Sequence, residues 1–246
     1  MKLLEKKVAI VTGAGSGIGR AIALAYAAEG AAVVVGDIDE KGGNETVDLI
    51  AKQSGRATFV KADSSKAADN EAMVKTCVDT YGGLHVACNN AGIGGPAAVT
   101  GEYPIDGWDK VIAINLSGVF YGMRYQIPAM LKSGAGAIVN MASILGQVGF
   151  RTASAYVAAK HGVVGLTKNA ALEYADKNIR VNAVGPAFIK TPLIKKIDEN
   201  QLIPLHPIGR LGEPEEVANL VVFLSSNKAS FITGGYYAVD GAYLAQ

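Results

Sequence analysis

Short runs of consecutive apolar residues recur along the chain, separated by longer alanine-rich stretches. The runs are "KVAIVTG" (7–13), "AAVVVGD" (31–37), "RATFVKAD" (56–63), "LHVACNNAG" (84–92), "GAIVNMAS" (136–143), "IRVNAVGP" (179–186) and "GGYYAVDG" (234–241). Continuous apolar character, rather than alternation with polar residues, means burial on both faces, which is the parallel arrangement. Between these runs, helical spacing fits segments near 18–29, 40–53, 66–81, 107–132, 154–175 and 214–225. Strand–helix alternation from end to end predicts an α/β fold: one doubly wound domain, with a mostly parallel seven-stranded sheet flanked by helices. No linker, repeat or low-complexity segment divides the chain. The stretch 187–213, with Pro192, Pro204 and Pro207, is long for an internal connection and follows a strand's C-terminal end. It is expected to form a lid over a ligand there.

Composition narrows the function. Of 246 residues, 50% are hydrophobic and 18% charged, enough for a large core, and the net charge of +1 includes no block of like charges. That argues against a nucleic-acid surface or a basic membrane patch. No apolar run approaches the ~18 residues of a membrane span, and the N-terminal stretch is too short in apolar residues for a secretory signal. A cytoplasmic protein is expected. Cys77 and Cys88 lack paired spacing and are read as core residues, and His85, His161 and His206 show no metal-ligand spacing.

The candidate chemistry begins at "VTGAGSGIGR", residues 11–20. Glycines closing a strand let backbone N–H groups approach a phosphate. Arg20 and Ala21 follow the last glycine, so the Lys-Ser/Thr of a nucleoside-triphosphate loop is missing. Ile18 stands where G-x-G-x-x-G needs its third glycine. What remains is T-G-x-x-x-G-x-G, formed by Thr12, Gly13, Gly17 and Gly19. The next strand ends in Asp37, placed to accept hydrogen bonds from an adenosine ribose. These glycines are therefore read as holding a dinucleotide pyrophosphate. Asp63 either faces the adenine or caps the following helix. Asn89–Gly92 closes the fourth strand with loop-pinning amides and a glycine that permits close approach.

Tyr156 and Lys160, four apart, project from one helix face. A neighbouring ammonium favours a phenolate and draws the tyrosine toward a working acid–base range. Ser143, at another strand end, offers a hydroxyl to a substrate oxygen.

With these motifs in order, the sequence resembles the short-chain dehydrogenase/reductase family, in its compact branch of Rossmann-type oxidoreductases. The resemblance spans nearly the whole chain and also includes Asn115 in "IAINLSG". It implies that Tyr156 is the proton donor and acceptor and that Ser143 stabilises the substrate oxygen. Lys160 would hold the nicotinamide ribose, and Asn115 would keep a helix irregular and anchor a relay water. Cofactor contacts implied at the adenosine and pyrophosphate end are Gly13, Ser16, Gly17, Ile18, Gly19, Asp37, Ile38 and Asp63. Toward the nicotinamide they are Asn90, Ala91, Gly92, Tyr156, Lys160, Pro186, Ile189 and Thr191. Two positions depart from the family pattern: Ala187 replaces the usual glycine after Pro186, and Ala159 a frequent serine.

The reading is an NAD(H)-dependent enzyme interconverting a secondary alcohol and a ketone. NAD follows from Asp37, with Ser16 supplying no positive charge for a 2′-phosphate. The substrate is expected to be hydrophobic and uncharged, because the pocket sequence offers Gly94, Gly95, Leu145, Phe150, Phe188, Leu202 and Leu205. No arginine clamp is evident, although Lys195, Lys196 and Arg210 lie near in sequence. Two alternatives are a 3-oxoacyl-carrier-protein reductase and a silent nucleotide-binding scaffold. Asp37 weighs against the first, and the intact Asn115, Ser143, Tyr156 and Lys160 set against the second. A homotetramer is expected from the resemblance, through the helices at 107–132 and 154–175.

Overall fold

The computed structural model describes residues 2–195 and 197–246. Its seven strands are β1 (Val8–Thr12), β2 (Ala32–Asp37), β3 (Arg56–Lys61), β4 (Val86–Asn89), β5 (Gly136–Met141), β6 (Ile179–Pro186) and β7 (Tyr236–Val239). They form one sheet in the order β3-β2-β1-β4-β5-β6-β7. Every pairing is parallel. The apolar runs therefore sit where they were expected, and the central strands are buried on both faces while β3 and β7 form the half-exposed edges.

Helices α1 (Gly17–Ala28) and α8 (Pro214–Ser225) cover one face. Their core includes Ile22, Tyr26, Val33, Val35 and Val221. Helices α3 (Ala67–Tyr81), α5 (Gly118–Lys132) and α6 (Ser154–Tyr174) cover the other. That layer packs Ile10, Val34, Met73, Met130 and Ile138. Each such side chain, fully buried, contributes about 1.5–3 kcal/mol. Helix α2 (Glu40–Lys52) is capped by Asp39, whose side chain accepts from the Lys41 N–H. Cys77 and Cys88 are free and buried, and burial pushes both thiols up.

Three expectations change. The continuous helix that spacing suggests over 107–132 is interrupted, at the irregularity the resemblance implies for Asn115: α4 (Ile105–Ile112) passes into a π-helical turn at Ala113–Ser117 before α5 begins. Apolar periodicity carries no mark of the extra residue that widens such a turn. The run at 84–92 pairs only over Val86–Asn89, because Asn90 turns its side chain back onto β1. The stretch 187–213 is not wholly irregular. It contains the short helix α7 (Glu199–Leu202) and returns to a pairing of Ile189 with Gly212. Ion pairs Lys190–Glu213 and Arg210–Glu216 flank that neck. Lys196 lies outside the described residues.

Candidate active site

The strand order reverses between β1 and β4, and the C-terminal ends of a parallel sheet open a crevice at that point. The turn after β1 builds its floor. Gly13 and Gly17 have φ of 62° and 50°, in the left-handed region. Gly19 needs its missing side chain for space: a Cβ would overlap the Gly13 carbonyl oxygen and stand 2.6 Å from Asn90 Nδ2. The Thr12 hydroxyl accepts from the Asn90 and Ala91 N–H groups at 2.9 and 3.0 Å. Asn90 Nδ2 donates back to the Thr12 carbonyl at 2.9 Å. The two loops beside the crevice are thus tied together, with the N-terminus of α1 between them.

At the β2 end, Asp37 is held by its own surroundings. Its Oδ2 accepts from the Gly15 N–H at 2.7 Å and its Oδ1 from the Asp39 N–H at 2.8 Å. Arg20, nearby, is committed elsewhere. Its Nε donates to the Thr46 hydroxyl at 3.0 Å, and its terminal nitrogen reaches the Gly15 and Gly42 carbonyls and Glu45. Asp63 does not cap α3, whose N-cap is Lys66. Its Oδ1 instead accepts from the backbone and hydroxyl of Ser65, and the hydroxyl bond holds the carboxyl below its ordinary range.

At the β5 end, Lys160 is 2% exposed and its Nζ donates to the Met141 carbonyl at 2.8 Å. Burial lowers its pKa to about 8. The same ammonium lies 5.4 Å from the centroid of the Tyr156 ring. Burial pushes the Tyr156 phenol up, opposed by a hydrogen bond with Ser143. This differs from the expected net lowering by Lys160: the ammonium donates to a backbone oxygen and faces the tyrosine's ring, so desolvation dominates. Ser143 Oγ accepts from the Leu145 N–H at 3.2 Å. Asn115 is fully buried in the π-helical turn and brackets Ile93, accepting from its N–H at 2.9 Å and donating to its carbonyl at 2.8 Å.

A cavity of about 340 Å³ joins these ends. Gly13, Ser16, Gly17, Ile18, Gly19, Asp37, Ile38 and Asp63 line one part, and Asn90, Ala91, Gly92, Ser143, Tyr156, Lys160, Pro186, Ile189 and Thr191 the other. Asn115 stands behind the wall through Ile93. None of the seven residues expected from the pocket sequence, Gly94, Gly95, Leu145, Phe150, Phe188, Leu202 and Leu205, is in this lining. Phe188 turns away, its N–H donating to His206 Nε2 at 3.3 Å and its ring packing edge-on to Phe150, His206 and Tyr243. Leu202 is 4% exposed, and its carbonyl pairs with His206 Nδ1 at 2.9 Å. Leu145 is buried in the turn after Ser143, while Gly94 and Leu205 lie off the cavity. The apolar walls are Ile93, Ile114, Ala187, Leu193 and Ile194 instead. Ile93 follows the N-N-A-G run directly, which was the available signal for it. Ile114, in the π-helical turn, had none.

The donor set suits a dinucleotide: a glycine cradle at a helix N-terminus, a carboxylate for a ribose, and an acid–base group at the far end. Gly19→Ala is expected to weaken NADH binding at least about tenfold in a fluorescence titration, because overpacking of ~1–3 kcal/mol falls on the cradle. Unchanged affinity would show that the cofactor binds elsewhere.

A family model described as "Enoyl-(Acyl carrier protein) reductase" matches residues 13–243. A cyclohexanol dehydrogenase from Acinetobacter sp. (strain SE19) is 55% identical over 98% of this chain and 96% of its own. A cis-4-hydroxycyclohexanecarboxylate dehydrogenase from Sinomonas cyclohexanicum is 42% identical over 98% of this chain and 97% of its own. The crystal structure of a putative 2-deoxy-D-gluconate 3-dehydrogenase from Agrobacterium tumefaciens with bound NADP superposes with a TM-score of 0.91 at 36% identity, covering 99% of this chain and 98% of that one.

Proposed function

The chain belongs to the short-chain dehydrogenase/reductase family, and on that premise we propose that it interconverts an uncharged alicyclic secondary alcohol and its ketone with NAD(H). The observation that carries this reading is the convergence of Ser143, Tyr156 and Lys160 on the cavity whose other end holds the glycine turn and Asp37. When bound, nicotinamide supplies the hydride acceptor for oxidation and the hydride donor for reduction. In oxidation the Tyr156 phenolate takes the substrate's hydroxyl proton, and in reduction the phenol returns it. The Ser143 hydroxyl donates to the same oxygen. Lys160, held against the Met141 carbonyl, keeps positive charge beside the phenol and offers its remaining protons to a ribose. Asn115 fixes the Ile93 backbone and, through the π-helical turn, gives a relay water an anchorage.

Among the described residues lining the cavity, Lys160 is the sole cation, and it is already tied to a backbone carbonyl. A substrate carboxylate would enter unpaired, and an unpaired buried charge is costly. With NAD, kcat/KM for cyclohexanol is therefore expected to exceed that for cis-4-hydroxycyclohexanecarboxylate by at least about tenfold. Faster turnover of the carboxylate would sink the uncharged-substrate reading. The segment 187–213 acts as the lid in this proposal, supported by Leu193 and Ile194 in the cavity wall. Exposed Ile105, Trp108, Phe120 and Leu172 on α4, α5 and α6 support a homotetramer. Two free buried thiols support a cytoplasmic setting.

A further inference from the structure

Tyr236 opens β7, the edge strand, in register with Ala183 of β6. Its hydroxyl reaches across β6 and donates to the backbone carbonyl of Ser143, beyond the end of β5, at 3.0 Å. The path exists because residue 185 is glycine: a Cβ on Gly185 would overlap the tyrosine hydroxyl and ring. The same carbonyl accepts from the Gly146 N–H at 2.8 Å, so two donors hold one peptide oxygen.

We infer that Tyr236 is a positioning residue for the Ser143 hydroxyl, holding across two strands the backbone from which that hydroxyl projects. The inference rests on the role of Ser143 proposed above. Ser143 is in extended backbone, φ −174° and ψ 164°, and its Oγ accepts from the Leu145 N–H at 3.2 Å. That contact uses an oxygen lone pair and leaves the hydroxyl proton to be donated. The Pro186 carbonyl, at 3.5 Å, is a long-range competitor for it. Where this proton points depends on the Ser143 backbone, and a misplacement of about 1 Å in a reacting constellation costs on the order of a hundredfold. Burial pushes the Tyr236 phenol up to about 12, with Asp240 adding to the effect, so it remains a donor where the enzyme works. The pairing of a glycine on β6 with a tyrosine on β7 thus reaches the catalytic end of β5 in addition to packing the ring against the core.

Tyr236→Phe removes the hydroxyl and keeps the ring. Cyclohexanol oxidation should lose about tenfold in kcat, on the scale of one hydrogen bond, with NADH affinity unchanged and the thermal midpoint lowered by no more than about 4 °C. Because the Ser143 hydrogen bond opposes the upward push on Tyr156, loosening it should also move the pH midpoint of oxidation upward by about half a unit. In a Ser143→Ala background the same change should cost less than about twofold, since both act through one hydroxyl. Gly185→Ala, which displaces the tyrosine without altering its chemistry, should reproduce the pH shift and serves if Tyr236→Phe does not fold. Unchanged kcat and pH midpoint, a full tenfold loss persisting in Ser143→Ala, or a loss that only follows thermal stability would each overturn the positioning role. A wild-type protein inactive on every secondary alcohol would overturn instead the functional reading beneath it.

Discussion

Tyr156→Phe is expected to lower kcat for cyclohexanol oxidation by about 10²- to 10⁴-fold, the range that positioned acid–base catalysis contributes. At about 1.36 kcal/mol per tenfold, that is a loss of roughly 3–5 kcal/mol of transition-state stabilisation. The ring remains, so packing with Val111, Ala155 and Ala159 survives, and NADH binding measured by fluorescence should change little. The two directions of the wild-type reaction separate with pH. In the proposed mechanism oxidation consumes the phenolate, so its rate is expected to rise as Tyr156 deprotonates, whereas reduction needs the phenol and is expected to fall over the same range. Burial pushes that ionisation up and the Ser143 hydrogen bond pulls it down. Lys160, near 8 through burial, supports the phenolate only while it carries its proton. A Tyr156→Phe protein that kept more than about a tenth of wild-type kcat would assign the proton transfer to another group.

The second large effect concerns the choice of cofactor. Wild-type kcat/KM for NADH should exceed that for NADPH by at least about 100-fold, or ~2.7 kcal/mol. The 2′-phosphate of NADPH carries about −1.5 to −2 charge. Against a carboxylate at ~4 Å, with an effective dielectric near 20, each unit of like charge costs about 4 kcal/mol before screening. Asp37 cannot readily swing away, because the Gly15 and Asp39 N–H groups hold both its oxygens. Arg20 is a prospective counter-charge, and its guanidinium is spent on Glu45, Thr46 and two backbone carbonyls. The NADP in the Agrobacterium tumefaciens structure shows that this fold accommodates the phosphate, so the preference expected here would rest on Asp37 itself. Replacing Asp37 with Ser and the exposed Ile38 with Arg should shrink or invert the ratio. Equal wild-type use of both cofactors would show that the carboxylate serves the turn rather than the ribose.

Much of this architecture was legible because it follows from local chemistry. Apolar continuity gave the parallel strands, glycine spacing gave the turn, and the four-residue separation put Tyr156 and Lys160 on one face of α6. What escaped depends on which side of an irregular segment faces inward. Phe188, Leu202 and Leu205 were expected in the cavity from their apolar character, but Phe188 and Leu202 are drawn toward His206. Leu193 and Ile194 line the cavity in their place. Buried polar contacts were equally silent. Asn89 bonds Gln126 and Asn140, and Asn140 bonds Thr167, which joins β4, β5, α5 and α6. In the sequence these are isolated polar letters in apolar runs, and nothing local says that they meet. Tyr236 is the same case, because its partner lies two strands away.

The reversal of strand order also has a bearing on how the chain assembles. Ile10 has Val34 on one side and Ala87 on the other. The first neighbour is reached through a single helical crossover, the second only after two further strand–helix units have been laid down. Closing the longer loop costs more entropy, and contacts distant in sequence form slowly. The crevice is therefore the seam between an early-closing amino-terminal half and a carboxy-terminal half, and it exists only once the two have joined. A dinucleotide bridging that seam would bind the folded chain and have no counterpart site in the unfolded one, so it would stabilise the joined state by RT ln(1 + [L]/Kd), about 2.7 kcal/mol at a hundred times its Kd. Cofactor concentration is thereby expected to raise the thermal midpoint as well as the rate.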